Sequence, residues 1–446
     1  MAAIAARTFT LDDQHAFAAL SGDSNPMHLD AKAARRTQAG RVVVHGVHAV
    51  LWALDAGAGA TLAGLETLTV RFDRMIYVGD RCEVHSGRRG GAGPAFDIVV
   101  GDAVVTRIDI GSGGGAPVAA EAIGHVFDRA ARASALEAAF PRAAAAFGAG
   151  MLADLAGLSQ LVGMVEPGLH SIFRGFAVAR QDSERGDTMR FGVVRDDERF
   201  NLVTLAVLGP ALRGQVEAFR RAPPVAQPGV ADLRGLVAAD AFAGRSALVV
   251  GGSRGLGELT AKLLALGGAA VTITYAMGDS EAAAVAEEVR AAGGACDVIR
   301  LDVRQPIAGQ LPAGRAFDRL FYFATPFIFG KRGKALDLAL LDEMMGFYVR
   351  SFYEVCEALR RTGDHPIGVF YPSSVAVESR PANMTEYAMA KAAGEVLCAD
   401  LPRLLKGVRA QVRRLPRLQT DQTSSVQPVE TGSAVDEMLA AIQSLA

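Results

Sequence analysis

The sequence predicts an α+β fold for residues 1–222, followed by an α/β fold with a doubly wound parallel sheet in residues 241–446. Residues 1–112 and 118–222 each show helical patterns ahead of several strand-like runs, as in helices packed on one face of an antiparallel sheet. After residue 241, short apolar runs alternate with helical patterns, which is typical of parallel strands joined by crossover helices. A glycine-rich loop at residues 251–257 lies between the first of these strands and the first helix.

Length and composition limit the class of protein. A chain of 446 residues is too long for one compact core, so two or three domains are expected. The formal charge is only −2 and the basic residues are scattered, which disfavours a nucleic-acid partner. The four cysteines lie far apart without a C-x-x-C pair, which favours reduced, buried thiols in a cytoplasmic protein over disulfides or a metal site. The sequence has neither a signal-peptide pattern nor an apolar run of about 18 residues, so no membrane span is expected.

The first unit, residues 1–112, carries a candidate acid–base pair. Helices are predicted at 11–20 and 46–54, and strands at 66–77, 81–85, 95–100 and 104–110. Between the helices the sequence reads Gly-Asp-Ser-Asn-Pro-Met-His at residues 22–28, which places Asp23 and His28 across a turn that Pro26 restricts. Because an imidazole titrates near neutrality and can exchange a proton with a carboxyl, this pair can move both protons of a hydration or dehydration.

The second unit, residues 118–222, repeats the helix-then-strand order without the acidic motif. An alanine-rich helical segment continues to residues 152–165, and strands follow around 171–180, 188–194, 201–208 and 212–219. The polar pair His170 and Ser171 is interpreted as structural. The repeated order indicates a pseudo-duplicated domain, bounded by a glycine-rich break at 111–117 and a proline-rich linker within residues 223–240.

Residues 17–34 resemble the signature of the MaoC-like, (R)-specific enoyl-thioester hydratases and dehydratases, which have the hotdog fold. The resemblance extends to His45-Gly46 and to residues 70–80. It implies that Asp23 and His28 are the catalytic pair and that Asn25 helps to hold them. It also implies that the Gly46 amide, at the start of a helix, binds the thioester carbonyl oxygen as an oxyanion hole. The two units together would form a double hotdog in which one half is catalytic and the other shapes the acyl tunnel.

The glycine-rich loop of the third unit indicates a dinucleotide ligand, because glycines between a strand and a helix let backbone amides approach a pyrophosphate. Its spacing, Gly-x-x-x-Gly-x-Gly, resembles that of the short-chain dehydrogenases/reductases, which have a Rossmann-type fold. The resemblance extends to Ser374 and to Tyr387 and Lys391, which share one face of a predicted helix. It implies that Tyr387 is the acid, that Lys391 lowers the pKa of Tyr387, and that Ser374 steadies the substrate oxygen.

The same resemblance implies a set of cofactor-binding residues: Gly251, Ser253, Arg254, Gly255, Leu256, Gly257, Tyr275, Asp302, Val303, Ala324, Tyr387, Lys391 and Thr420. NAD enzymes of this type carry an acidic residue at the end of the second strand to hold the ribose 2′-hydroxyl, and Thr274-Tyr275-Ala276 stand there instead. Arg254 matches the position at which NADP enzymes use a basic residue. NADPH is therefore the predicted cofactor.

The third unit also departs from the family pattern. Tyr322-Phe323-Ala324-Thr325 replaces Asn-Asn-Ala-Gly, Tyr348 replaces the Asn that anchors a proton-relay water, and Arg417 replaces the glycine of a Pro-Gly pair. The last strand that most members carry is not predicted. These departures concern the relay and the substrate loop more than cofactor binding.

The sequence thus predicts a bifunctional enzyme that reduces a 3-ketoacyl thioester with NADPH and dehydrates the (R)-3-hydroxyacyl product to a 2-enoyl thioester. Two alternatives remain open. The first is enoyl-CoA hydration followed by oxidation, and the second is an acyl-carrier binding scaffold with inactive sites. The acyl carrier, CoA or a carrier protein, is also open, and a homodimer is expected.

Overall fold

The computed structural model describes residues 3–58, 66–87, 93–111, 123–181, 186–331, 333, 335–426 and 429–445. The chain divides into two compact structural units. The first structural unit, Met1–Pro223 with Ser425–Pro428, combines the first two units of the sequence as its two halves. The second structural unit, Pro224–Ser424 with Val429–Ala446, contains the third unit of the sequence. The predicted break at 111–117 lies outside the described residues from residue 112 onward, so the domain bounds 1–112 and 118–222 remain predictions.

The first unit alternates helices with long antiparallel strands. Its strands are β1 (Ala5–Thr8), β2 (Thr67–Phe72), β3 (Arg81–Gly87), β4 (Ala95–Val100), β5 (Ala103–Gly111), β6 (His125–Asp128), β7 (Ser171–Arg180), β8 (Thr188–Asp197), β9 (Leu202–Leu208) and β10 (Leu212–Arg220). Its helices are α1 (Leu11–Ser21), α2 (Pro26–Leu29), α3 (Ala31–Ala34), α4 (Gly46–Gly57), α5 (Ala133–Ala139), α6 (Pro141–Phe147) and α7 (Ala149–Gln160), which continues as a π-helical turn, Leu161–Val165.

All ten strands form one sheet in the order β1-β3-β4-β5-β2-β7-β10-β9-β8-β6. Neighbouring strands are antiparallel throughout, including the central pair β2 and β7. On each side of that pair the strands follow one order, first-third-fourth-fifth-second, so the two halves repeat one topology. The antiparallel α+β arrangement predicted for residues 1–222 is therefore present. The outermost strands, β1 and β6, were missed because each is four residues long and contains no buried residue.

The core of the first unit forms around two apolar helices, α4 and α7. Both bury most of their residues and pack against each other, because a helix that is apolar around its circumference must be enclosed. One continuous core takes side chains from both halves. Among the described helices none is by itself long and apolar enough to cross a membrane, although the bent pair Pro141–Phe147 and Ala149–Val165 passes on length and composition.

The second unit is built on a parallel sheet of six strands: β11 (Ser246–Val250), β12 (Ala270–Tyr275), β13 (Ala295–Arg300), β14 (Arg319–Tyr322), β15 (Ile367–Ser374) and β16 (Val408–Leu415). Their order, β13-β12-β11-β14-β15-β16, confirms the predicted doubly wound sheet. The crossover and terminal helices are α8 (Gly255–Leu266), α9 (Asp279–Ala291), α10 (Leu338–Met345), α11 (Ser351–Arg361), α12 (Ala376–Ser379), α13 (Thr385–Leu404) and α14 (Ala434–Gln443). Within the segment predicted as a linker, 223–240, Val230 and Leu233 are buried in the core of this unit.

The helix predicted over residues 341–360 is not continuous. A π-helical turn, Gly346–Arg350, separates α10 from α11. Such a turn holds an extra residue within a helix and often marks a functional site. Its main consequence here is that Tyr348, which is 1% exposed, lies in the core of the second unit.

Candidate functional site

The turn that carries Asp23 and His28 is shaped by local interactions. Gly22 is the C-cap of helix α1; it has a φ of 82° and donates its amide to the Ala18 carbonyl. The Asn25 side chain accepts the Met27 amide and so caps α2, which begins at Pro26. A left-handed glycine, a cap and a proline therefore fix the chain between the two candidate catalytic residues.

Asp23 is buried and is held from both halves of the first unit. Its Oδ1 accepts the Asn25 amide at 3.2 Å, and its Oδ2 accepts the hydroxyl of Ser159, on α7, at 2.7 Å. A Cβ at Gly163 would lie 2.4 Å from Asp23 Oδ1, so this position in the π-helical turn has to be a glycine. The second half thus supplies a donor and the space for the carboxylate.

Asn25 also joins the halves. Its Nδ2 donates to the carbonyl oxygens of Gly163 and Leu169, both at 3.2 Å. The side chain therefore uses its oxygen to cap α2 and its nitrogen to tie the turn to the second half. The holding role that the resemblance implies for Asn25 remains a prediction.

His28 and a second imidazole, His45, form a stacked pair with ring centroids 4.0 Å apart. His28 Nδ1 lies 2.7 Å from the carbonyl oxygen of Val43. Because a carbonyl only accepts, Nδ1 carries the hydrogen and the lone pair of Nε2 can take a proton.

His45 is fully buried between Gln14 and Asp23. Its Nδ1 lies 3.0 Å from Gln14 Oε1, and its Nε2 lies 3.0 Å from the Asp23 carbonyl oxygen and 3.9 Å from Asp23 Oδ2. Burial, followed by the positive charge of a protonated His28, lowers the pKa of His45 well below its usual range. A neutral imidazole carries a single N–H, so His45 donates to only one of Gln14 Oε1 and the Asp23 carbonyl oxygen.

Asp23, His28 and His45 each offer a donor atom within 4.8 Å of the others, a spacing at which a metal ion could bind. Asp23 Oδ2 already accepts a hydroxyl, however, and both His45 nitrogens face oxygen atoms. This arrangement favours proton transfer over metal coordination. That no metal binds at these three residues remains a prediction from the sequence.

Gly46 begins α4 beside this cluster. The preceding residue, His45, makes no side-chain cap, and its amide donates to Gln14. The first amides of a helix have no acceptor within the helix and lie at its positive end, so they can bind a carbonyl oxygen. A Cβ at Gly46 would lie 2.8 Å from the ring of Phe72, so a side chain there would require that ring to move.

The polar pair of the second half has no comparable setting. The Ser171 hydroxyl donates to the Val162 carbonyl, and the His170 carbonyl accepts the amide of Arg221. His170 itself is exposed. These contacts agree with the structural interpretation of the pair.

In the second unit, the glycine-rich loop joins β11 to α8. Gly251 and Gly255 have φ values of 80° and 60°, a region that side chains other than glycine rarely adopt. A Cβ at Gly257 would lie 2.2 Å from the Gly251 carbonyl oxygen, so this glycine lets α8 pack against the loop. Thr274 fixes the loop by accepting the Gly251 amide at its hydroxyl and the Gly252 amide at its carbonyl. The result is a backbone cradle at a helix N-terminus, which suits a pyrophosphate.

Arg254 lies at the N-cap of α8 and is paired. Its Nη1 lies 2.8 Å from Oδ2 of Asp421, whose Oδ1 accepts the Val225 amide at 2.8 Å. Asp421 directly follows Thr420, the predicted cofactor contact in the loop after β16. The ion pair therefore links that loop to the glycine-rich loop, a contact that the sequence did not indicate.

The remaining predicted cofactor residues lie at the carboxyl ends of the strands or beside the glycine-rich loop. Tyr275 ends β12, Ala324 follows β14, Ser253 is buried within the loop, and Leu256 is in the first turn of α8. Asp302 is held by Arg304, which keeps the pKa of that carboxyl below its usual value, and the adjacent Val303 carbonyl accepts the Ser351 hydroxyl. This edge is where doubly wound sheets bind ligands.

Ser374 ends β15, and Tyr387 and Lys391 lie on α13. Burial raises the pKa of Tyr387, while a hydrogen bond with Ser374 acts in the opposite direction. The prediction that Lys391 lowers this pKa is therefore wrong: burial raises the pKa of Tyr387, and the opposing contribution comes from Ser374. Lys391 itself is buried, donates to the Pro372 carbonyl at 2.6 Å, and has its pKa lowered to about 7 by loss of hydration.

Comparisons with known proteins agree with this division. Residues 2–107 match the family model of the MaoC-like domain, and residues 245–320 match that of the short chain dehydrogenases. An uncharacterized oxidoreductase of Methylorubrum extorquens is 44% identical over 64 residues, which are 14% of this chain and 26% of that protein. The chain thus matches about a quarter of the length of that curated relative.

Solved structures resemble part of the chain. A short chain dehydrogenase from Burkholderia cenocepacia in complex with NADP is 27% identical, with 45% of this chain and 90% of that chain covered and a TM-score of 0.40. The RhlG/NADP active-site complex from Pseudomonas aeruginosa is also 27% identical, with 42% and 77% covered and a TM-score of 0.37.

The two family matches place a MaoC-like domain and a short chain dehydrogenase domain in one chain. More particularly, the protein is a fusion of an N-terminal MaoC-like dehydratase domain with a short-chain dehydrogenase domain.

Proposed function

We propose that the protein converts a 3-ketoacyl thioester to a 2-enoyl thioester in two steps. The second unit reduces the 3-keto group with NADPH, and the first unit removes water from the resulting (R)-3-hydroxyacyl thioester. The observation that carries this proposal is that one chain holds two separate acid–base sets: Asp23 and His28 in one unit, and Ser374, Tyr387 and Lys391 in the other.

For the dehydration, we infer that residues 1–222 are a double hotdog with one catalytic half. The Gly46 amide would bind the thioester carbonyl oxygen, which makes the C2 proton more acidic. Of Asp23 and His28, one would take that proton while the other protonates the leaving C3 hydroxyl. Ser159 and Asn25 would hold the carboxylate and the turn, and the second half would complete the acyl site.

For the reduction, NADPH would supply the hydride to C3 of the substrate. The cradle of Gly251, Gly255 and Gly257 would bind its pyrophosphate, because a Cβ would fill the space or strain the backbone at these positions. Tyr387 would donate the proton that the developing alkoxide needs, and Ser374 would position the carbonyl oxygen. Lys391 would replace the proton that Tyr387 gives up.

The preference for NADPH rests on charge. Arg254 lies at the glycine-rich loop, where it can meet a 2′-phosphate, and the end of β12 carries Tyr275 in place of a carboxylate. Because Arg254 also pairs with Asp421, a 2′-phosphate would share the guanidinium with that carboxylate. The other cofactor contacts would be those that the resemblance implies.

The oxidative direction, from enoyl-CoA to 3-ketoacyl-CoA, is the second candidate. The neutral end of β12 disfavours it, because oxidation usually uses NAD. An inactive scaffold is disfavoured because Asp23, His28, Tyr387 and Lys391 all keep their partners. We place the enzyme in the cytoplasm as a homodimer, acting on a CoA or carrier-protein thioester.

Incubation with NADPH and a panel of 3-ketoacyl-CoA and carrier-protein thioesters tests the proposal. Mass analysis should find the 3-hydroxyacyl product together with some enoyl product, and the panel identifies the carrier. If NADPH is not consumed with any thioester, while NAD is reduced when an enoyl-CoA is offered, the oxidative direction replaces the proposed one.

A further inference from the structure

Tyr348 stands where the short-chain dehydrogenase pattern has an Asn that anchors a relay water. Its side chain is 1% exposed, and its hydroxyl lies 2.5 Å from the hydroxyl of Thr325, which replaces the last glycine of the Asn-Asn-Ala-Gly segment. Its ring meets that of Tyr387 edge to face, with centroids 5.7 Å apart. The space beside the proposed acid is thus filled by an aromatic side chain.

Two further tyrosines donate hydrogen bonds to carbonyl groups of the π-helical turn. The Tyr371 hydroxyl donates to the Tyr348 carbonyl at 3.2 Å, and the Tyr322 hydroxyl donates to the Phe347 carbonyl at 2.8 Å. Gly394, on α13, leaves room for the first contact, because a Cβ there would lie 1.9 Å from the Tyr371 hydroxyl oxygen. The Tyr348 carbonyl therefore accepts a hydrogen bond from the Tyr371 hydroxyl. In the family, the residue at this position anchors a relay water.

Lys391 lies against the face of Tyr348. Its Nζ is 3.9 Å from the centroid of that ring, compared with 5.0 Å for Tyr371 and 5.9 Å for Tyr387. An ammonium over an aromatic face is attracted by the electron-rich ring, and the attraction is strongest where water is excluded. The titratable groups that face Lys391 come from the turn, from β15 and from α13: Tyr348, Tyr371, Tyr387, Glu395 and Cys398.

We propose that Tyr348 replaces the relay water: its ring holds Lys391 in a dry site beside Tyr387, and Lys391 alone returns the proton that Tyr387 gives to the substrate. This inference rests on the proposed reductase function. In each cycle Tyr387 protonates the alkoxide, the Lys391 ammonium protonates the Tyr387 phenolate, and neutral Lys391 takes a proton from water when the site opens. Tyr348 is a positioning residue, since burial raises its own pKa well above the usual range and keeps it a neutral phenol.

The inference gives a pH dependence with a definite sign. Lys391 must be protonated to return a proton, so reduction should be fast at low pH and should decline as the pH rises through the pKa of Lys391, which lies at about 7. In a water-relayed site the ammonium would be better hydrated, and the decline would fall at higher pH.

Substitutions at Tyr348 separate this positioning role from a packing role. Tyr348→Phe keeps the ring and should leave the titration of Lys391 unchanged. Tyr348→Asn admits water to the ammonium and should raise the pKa of Lys391 by about one unit or more. Tyr348→Leu removes the aromatic ring but still excludes water, so it should lower the pKa of Lys391. Tyr322→Phe is the matched control, because it removes a buried hydroxyl that donates to the same turn and leaves the Tyr348 ring over Lys391 in place.

The pKa of Lys391 is measured by NMR on protein carrying ¹³C-labelled lysine, since the chain has only six lysines and Lys391→Met assigns the signal. The alkaline limb of kcat for reduction is measured in parallel, and cooperative thermal unfolding of the second unit reports that each variant is folded. Opposite shifts for Asn and Leu, with none for Phe, support the proposal. A Lys391 pKa that stays the same in all Tyr348 variants overturns it. Absence of reduction together with the expected shifts would instead count against the proposed function alone.

Discussion

At the scale of single residues, the acid–base pair of the first unit depends on side chains that are distant in sequence. Asp23, Asn25 and His28 can be found from the sequence because they lie within one short turn. Ser159 is 136 residues from Asp23 and has no local pattern, and the same holds for the contact of His45 with Gln14, 31 residues away. Only tertiary packing brings these groups together, so a sequence motif identifies the pair but not what orients it.

Replacement of Ser159 tests this dependence. Ser159→Ala removes a hydrogen bond to a carboxylate, an interaction of about 1.5–3 kcal/mol, so hydration of a crotonyl-type thioester should slow by roughly 10- to 100-fold. Ser171→Ala, which removes a buried hydroxyl that donates only to the Val162 carbonyl, is the matched control and should stay close to wild type. Equal rates for the two variants would show that Ser159 does not support Asp23.

Arg254 is the residue on which the cofactor preference depends. Arg254→Ala should weaken NADPH binding by about 1.5–3 kcal/mol and change NADH binding little, since only NADPH has the 2′-phosphate. Asp421→Asn keeps an oxygen for the Val225 amide but removes the competing charge, so the preference for NADPH should increase. Binding of each dinucleotide is measured by isothermal titration calorimetry. Equal losses for both cofactors in Arg254→Ala would refute the assignment.

At the scale of elements, the sequence predicted the long apolar strands and the glycine-rich loop well. It predicted one continuous helix at residues 341–360, where the structure has α10, a π-helical turn and α11. Hydrophobic spacing averages over several turns, so one inserted residue leaves little trace in it. The turn is set instead by tertiary contacts, including the hydroxyls of Tyr322 and Tyr371.

Gly257 tests the packing of α8 on the glycine-rich loop. A Cβ at this position would lie 2.2 Å from a backbone oxygen that cannot easily move, so Gly257→Ala should displace the loop and reduce NADPH affinity at least 10-fold, about 1.4 kcal/mol. Hydration by the first unit should be unchanged and serves as the control. Wild-type NADPH affinity in this variant would show that the cradle does not bind the cofactor.

At the scale of the whole molecule, the two proposed reactions belong to two units with separate cores. The family matches to residues 2–107 and 245–320 support the two classes of chemistry. The order of the steps follows from the cofactor: NADPH favours reduction first, and its product is the substrate of a dehydratase. The stereochemistry of the shared intermediate connects the two active sites without requiring any contact between them.

The most direct measurement is therefore the identity and hand of the intermediate trapped when dehydration is blocked. With NADPH and a 3-ketoacyl thioester, Asp23→Asn or His28→Ala should slow dehydration by on the order of 10² to 10⁴ while NADPH consumption continues, because the second unit is untouched. Tyr387→Phe, the reciprocal control, should abolish NADPH consumption and leave hydration intact. Chiral analysis of the trapped alcohol should give the (R) isomer; an (S) alcohol would contradict the account, because the first unit could not then use the product of the second.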